Sequence, residues 1–389
     1  MKKIVAVATL ASLLTGATFA ADISFSYTGK NYFTSNGNAG VKYDHDKRSD
    51  CISLGLKNEY AGAVVDFDRD TDGTQASGIT VDSFYGWMDF AAISTEFTAG
   101  IWNSRYADNV KTDAGDLDDE DFIGWNYGVT NGSVAKDAGN LTEGKIAMVA
   151  AYTNKEALPG ELLVKFGFVN SAWDSFTKTD TDGKYTRTNS YGFVGEVAFK
   201  QENVFNVNLA IKSLTAHNYS FGLYFSPLMV ENLQATAGFA LGLDGNTTYK
   251  AEGDTGLEYA FDLRARYAIT DKFSITTAHN FSSGLTTTGK DGDAKKWNDN
   301  KLAMLNQINV TYAFLDNMKF GLNLQHSISD FDAAYPSANT LIVTPSVAIK
   351  ATEKVNVTVA SRGTFENIGF GKGAETFNLT LPLIFSYNY

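Results

Sequence analysis

The 389-residue chain carries 44 Asp and Glu against 32 Lys and Arg, a formal net charge of −12, and 13% of its residues are aromatic, with 27 Phe and 19 Tyr. That balance excludes nucleic acid and anionic lipid surfaces as natural partners, since binding to either draws on Lys and Arg, and it favours cations. The single cysteine, Cys51, excludes an internal disulfide and a cysteine-based metal site, and nothing in the composition calls for a cofactor.

Residues 1–20 read as a secretory signal. Lys2 and Lys3 precede an apolar run from Ile4 to Leu14, and the small residues Thr18 and Ala20 stand where a signal peptidase cuts. The fold is therefore expected in residues 21–389. No later stretch reaches the roughly 18 uninterrupted apolar residues of a membrane helix. A mean hydropathy of −0.17 leaves a soluble exported protein or a β-barrel, whose lipid-facing residues occupy alternate positions.

From its first mature residues the chain alternates with a period of two. Ile23, Phe25 and Tyr27 oppose Ser24 and Ser26, and Phe205, Val207, Leu209 and Ile211 oppose Asn206, Asn208 and Lys212. The pattern recurs at Tyr219–Phe225, Tyr259–Leu263, Phe320–Leu324 and Val355–Val359, and its longest runs reach the roughly 9 to 11 residues that cross a membrane obliquely. Short links near residues 58, 156, 201, 271, 316 and 353 alternate with long polar ones near 34–50, 70–78, 103–144, 170–188, 242–256, 282–301, 330–340 and 362–375. A soluble sandwich has no reason to sort its loops by parity, whereas a membrane barrel has short periplasmic turns and longer extracellular loops. The expected fold is all-β: a transmembrane antiparallel barrel of about eighteen strands, with sixteen as the alternative, since the count is even in single-chain bacterial barrels. Pro345 and Pro382 fall inside predicted strands, where a missing N–H predicts bulges.

The link at 103–144 holds the densest charge: Asp108, Asp113, Asp116, Asp118, Asp119, Glu120 and Asp121, with only Arg105 and Lys111 nearby. A solvated outer loop and a calcium site are two readings of it, although the spacing does not match a helix-flanked calcium loop. Opposite the apolar strand faces stand Lys165, Lys212, Arg264 and Arg266 among other charges, which requires a wet interior. Arg264 and Arg266, two apart on one strand, point the same way and either face acidic groups across the lumen or pair with Glu258, Asp262 or a neighbouring carboxylate. Trp87 and Trp102 read first as interfacial anchors; an aromatic track with Tyr85 and Tyr224 is the alternative. Four histidines, no serine elbow and no HExxH pattern leave no catalytic array.

The last predicted strand places Leu379, Leu381, Leu383, Phe385, Tyr387 and Tyr389 on one face, as closure of a ring in lipid demands. The signal, the length-alternating hairpins and this aromatic-ended strand resemble the general and substrate-specific porins of Gram-negative outer membranes. The resemblance implies that Phe385, Tyr387 and Tyr389 are read by the barrel-assembly machinery, although those porins usually end in Phe. It also implies that the third outer loop, 103–144, folds into the lumen, so that Asp113, Asp116, Asp118, Asp119, Glu120 and Asp121 line an acidic constriction, and that the chain forms a homotrimer. The expected function is passive diffusion of small hydrophilic solutes and ions, cations favoured, through a barrel held in outer-membrane lipid. A non-conducting surface barrel acting through its outer loops, as an adhesin or structural protein, is the alternative.

Overall fold

A computed structural model describes residues 22–35, 41–70, 78–102, 146–170, 176–178, 185–187, 191–214, 218–244, 254–288, 296–299, 303–328, 339–368 and 375–388. The strands are β1 (Asp22–Ser35), β2 (Val41–Lys57), β3 (Ala61–Asp70), β4 (Gly78–Phe90), β5 (Thr95–Ile101), β6 (Ile146–Leu158), β7 (Gly160–Asn170), β8 (Phe176–Lys178), β9 (Tyr185–Arg187), β10 (Tyr191–Gln201) and β11 (Phe205–Leu214). They continue as β12 (Asn218–Pro227), β13 (Leu233–Asp244), β14 (Asp254–Thr270), β15 (Phe273–Thr288), β16 (Lys296–Asp299), β17 (Ala303–Leu315), β18 (Met318–Ile328), β19 (Asn339–Lys350), β20 (Val355–Ala360), β21 (Arg362–Glu366) and β22 (Thr376–Asn388). Strands β8 and β9 form a separate hairpin, and all the others join one 20-stranded sheet in which every pairing is antiparallel.

The sheet closes on itself. β1 pairs with β2 on one side and with β22 on the other, from Ser26↔Asn388 to Ser35↔Leu379. β16 pairs only with β15, and β20 and β21 are two halves of one strand, which leaves eighteen staves in the ring among the described residues. Closure satisfies the backbone of every stave from both neighbours, the condition for a sheet to exist in hydrocarbon.

One end of the ring is built from tight links whose polar side chains close the turn. Asn58 Oδ1 accepts from the N–H groups of Tyr60 and Ala61 at 2.9 and 2.8 Å, and Thr270 Oγ1 accepts from those of Lys272 and Phe273 at 3.2 and 3.0 Å. Asn203 and Asn232 take left-handed φ values of 58° and 63° in two further tight links, a conformation Asn tolerates. The short links named from sequence fall at this end; the three-residue helical turn Ala91–Ile93 between β4 and β5 joins them.

Several expectations about the long links need correction. The link expected at 34–50 is mostly strand: β1 and β2 pair from Lys30↔Asp46 to Ser35↔Val41, across an irregularity between Thr28 and Lys30. The link expected at 282–301 contains the end of β15 and β16, and that at 362–375 contains β21. Polar composition marked these as loops, but strands that rise beyond the apolar band have no need of an apolar face.

The bulges expected at Pro345 and Pro382 do not occur. The registers of β19 and β22 run through both prolines without a shift, Pro345 opposite Leu322 and Pro382 opposite Tyr32. The missing donors instead interrupt the facing strand, which divides into β20 and β21 at Ser361, between the two prolines. Ser361 N–H still donates to Pro345 O at 3.0 Å.

The two faces of the wall invert the polarity of a soluble protein. Phe193, Val197, Ile211, Phe221, Leu223, Phe225, Phe261 and Leu263 are exposed on the outside, while Glu196, Asn208, Lys212, Ser220, Asp262 and Arg264 alternate with them and are buried within. Outward aromatics gather toward the two rims: Phe90–Phe97 and Phe314–Phe320 by the tight turns, with ring centroids 5.6 and 5.7 Å apart, and Phe365–Phe377 by the long links, at 4.8 Å. Such girdles flank the apolar band of a membrane barrel. Leu223, outward between Leu209 and Phe239, should tolerate Ala, whereas Leu223→Arg should cost about 2–4 kcal/mol, measured by urea titration of folding into lipid vesicles.

Candidate functional site

The inner wall is the only surface of a closed ring on which solute and fixed charge can meet. Alternation decides which residues reach it. On β7 and β10 these include Lys165 and Glu196, which the register places directly opposite. Lys165 Nζ lies 2.8 Å from Glu196 Oε2; the Lys side chain is 19% exposed and the Glu 1%. The other Glu196 oxygen accepts from Asn208 Nδ2 on β11. A carboxylate withdrawn from water is tolerable when both oxygens are engaged in this way.

Two strands further on, Tyr224 folds back over Gly222 of its own strand, where any Cβ would collide with the phenol oxygen. Ser226 and Thr236 join β12 to β13 at 2.8 Å. On β14, Arg264 Nε and Asp262 Oδ2 are 3.1 Å apart, both side chains no more than 2% exposed. Arg264 therefore takes the local ion-pair role of the two considered from sequence. Lys212 is buried on the same inner face, and Arg266 follows Arg264 at the same parity. Asp113, Asp116, Asp118, Asp119, Glu120, Asp121 and Tyr389 lie outside the described residues, as do residues 1–20. Phe385 and Tyr387 contribute their backbones to the closing ladder, opposite Gly29 and Tyr27.

The wall is not uniformly open. From β10 round to β18 most inward residues are closed off: Asn208, Asn280 and Tyr224 are 1% exposed and Gln307 0%. A stripe of small apolar side chains, Ala147, Val149, Val169, Val194, Ala210, Ala240 and Ala260, runs along the inner wall from β6 to β14 and is likewise buried. The arc from β3 to β5 differs, because Asp66, Tyr85, Trp87, Thr98 and Trp102 keep intermediate exposure and Asp89 and Glu96 are exposed. At its tight-turn end a cavity of about 770 Å³ is lined by Asp89, Glu96, Glu161 and Lys155 among others.

The two tryptophans read from sequence as interfacial anchors are not lipid-facing. Trp87 lies against Gly62 of β3, and Trp102 packs against the inner apolar stripe. Tyr85 stands between them, its ring centroid 6.1 Å from that of Trp87 and 5.8 Å from that of Trp102. The helical turn at Ala91–Ile93 fixes the hairpin register that sets this parity, which single-strand periodicity does not reveal. His279 and His326 lie on strands, where their ring nitrogens bond Asn306 and Asn339 at 2.8 Å each.

Lys165→Met should destabilise the barrel by about 3 kcal/mol by leaving Glu196 buried without its cation, and Lys165→Met with Glu196→Leu should recover most of that loss. Unfolding midpoints of the single and double variants in the same detergent check it.

No known family model matches the sequence, and no characterised protein matches it in sequence. The fold, however, is that of outer-membrane channels. OpdO of Pseudomonas aeruginosa superposes with a TM-score of 0.56 at 9% identity, over 95% of this chain and 97% of that one. An anion-selective porin from Comamonas acidovorans gives 0.54 at 11%, over 95% and 100%. The outer membrane channel DcaP of Acinetobacter baumannii gives 0.50 at 11%, over 95% and 97%. The architecture is a transmembrane β-barrel of the porin type, and charge preference must be argued from the chain's own residues.

Proposed function

We propose that the protein is an outer-membrane porin through which small hydrophilic solutes and ions diffuse passively, with a preference for cations. The observation that carries this reading is the inversion of the wall: a closed ring with lipid-compatible residues outside and charged, hydrogen-bonding residues inside has the construction of a hydrated conduit. The uneven burial of the inner wall supports a path along β3–β7 in place of a wide central bore. Cation preference is supported by the exposed carboxylates Asp89 and Glu96 on that arc and by the overall charge of −12. The segment 103–144 joins β5 to β6 beside the same arc, and its carboxylates Asp113, Asp116, Asp118, Asp119, Glu120 and Asp121 are proposed to narrow the path there. Interaction of β22 with the barrel-assembly machinery and assembly as a homotrimer belong to the same proposal.

A second reading is favoured by one observation. Inward side chains as large as Arg264, Tyr224 and Gln307 are fully buried, as expected of a filled barrel that acts through its outer surface, in adhesion or structure, and does not conduct.

Planar-bilayer recording separates the two. The porin reading expects stepwise conductance and, in a salt gradient, a reversal potential of cation-selective sign; a folded barrel that never conducts overturns it. Replacing Asp116, Asp118, Asp119 and Asp121 together by Asn should move the reversal potential toward the anion-selective side. An unchanged potential would return those residues to a solvated loop outside the path.

A further inference from the structure

The accessible arc of the inner wall carries a feature that simple conduction does not use. Trp87 lies flat on the wall because Gly62, its cross-strand partner, has no side chain: a Cβ at Gly62 would collide with Cζ2, Cη2 and Cε2 of the indole. Tyr85 pairs with Gly100, whose φ of +138° favours glycine and whose added Cβ would collide with the β4 backbone at Phe84 O and Tyr85 Cα. The indole is thus inlaid into the wall; Tyr85, at the same inward parity, has its ring centroid 6.1 Å from that of Trp87, and Trp102 extends the surface 5.8 Å beyond Tyr85. All three keep intermediate exposure, while Tyr224 on the closed arc does not.

One rung below Trp87, Asp89 and Glu96 stand directly opposite each other across β4 and β5. Like charges in register repel and destabilise a sheet. Neither forms a salt bridge among the described residues, and both border the cavity at the tight-turn end, which Glu161 makes more acidic and Lys155 only partly balances. Thr98, opposite Trp87, donates from Oγ1 to Glu96 Oε1 at 3.2 Å and holds that carboxylate toward the rings. An opposed carboxylate pair beside an inward aromatic face has the composition of a cation–π site: the ring quadrupole and the carboxylates both attract a positive centre, and the neighbouring rings receive an apolar body.

We infer that the inner wall of β4 and β5 binds organic cations, an amine or quaternary ammonium carried on a flat or alkyl body. The positive centre sits between Asp89, Glu96 and the face of Trp87, with the body against Tyr85 and Trp102. A neutral sugar would use the rings but gain nothing from an unneutralised carboxylate pair, and an aromatic carboxylate would be repelled by it. The site refines the porin reading, on whose hydrated inner path it rests, by naming the class of solute retained there.

The test is calorimetric titration of the folded full chain in detergent with phenyltrimethylammonium, compared with benzoate and with maltose. Binding is expected for the first alone. It should weaken about tenfold in Asp89→Asn/Glu96→Gln and in Trp87→Ala. Gly62→Val, which drives the indole off the wall while leaving every named contact residue in place, should also weaken it, provided near-ultraviolet circular dichroism shows a folded barrel. Equal binding of benzoate or maltose, or unchanged affinity in the folded variants, overturns the site. Conductance is recorded on the same preparation: a barrel that binds the cation and never conducts sinks the porin reading alone, and one that conducts without binding sinks the site alone.

Discussion

Backbone satisfaction in hydrocarbon is the constraint on which the rest of the molecule depends. An N–H or C=O left without a partner in a bilayer costs several kcal/mol, so no stave can be an edge, and β22 must find β1. Once the ring is obligatory, period-two alternation has a fixed meaning: one set of residues contacts lipid and the other contacts whatever occupies the inside. The polar inner face, with Glu196 held by Lys165 and Asn208 and Asp262 by Arg264, follows from closure and would be untenable in a dry sandwich.

Much of this was readable in the sequence because both governing signals are local. Alternation in Phe205–Ile211 and Tyr219–Phe225 distinguishes the faces of β11 and β12 without knowledge of any neighbour, and the tight links announce themselves through Asn58, Asn203 and Thr270, whose side chains or backbone preferences close turns. Strand number followed from counting such segments. What stayed hidden depends on register between strands. Lys165 and Glu196 are separated by a long link, and nothing in either strand alone says that they meet. Trp87 and Trp102 sit near strand ends, where one residue of difference in the β4–β5 turn would exchange lipid for lumen. The polar upper halves of β1 and β2 lack an apolar face and so resemble loop. The residues with the clearest charge signal, Asp113–Asp121, belong to a segment whose placement no periodicity reports.

The uneven inner wall connects architecture to use. A closed ring need not be open across its full section; the small apolar stripe and the largely buried polar side chains between β10 and β18 narrow it, and the more exposed arc bears Asp66, Asp89, Glu96, Tyr85 and Trp87. Asp89 and Glu96, exposed carboxylates of the inner wall, lie along that arc. Overall likeness to an anion-selective porin, at 11% identity, shows the fold and carries nothing about charge preference.

The division of one stave at Ser361 has a mechanical consequence. Pro345 and Pro382 lie on the strands at either side of that point, and β22 is also the strand that joins the two ends of the chain into a ring. The sector next to the join therefore has a local gap in its ladder, between the pairings Val343↔Gly363 and Ser346↔Ala360 on one side and Val359↔Leu383 and Arg362↔Thr380 on the other. Under lateral pressure a hoop yields first where its stitching is interrupted, so at this level of the wall bending is concentrated at Ser361, one stave away from the join.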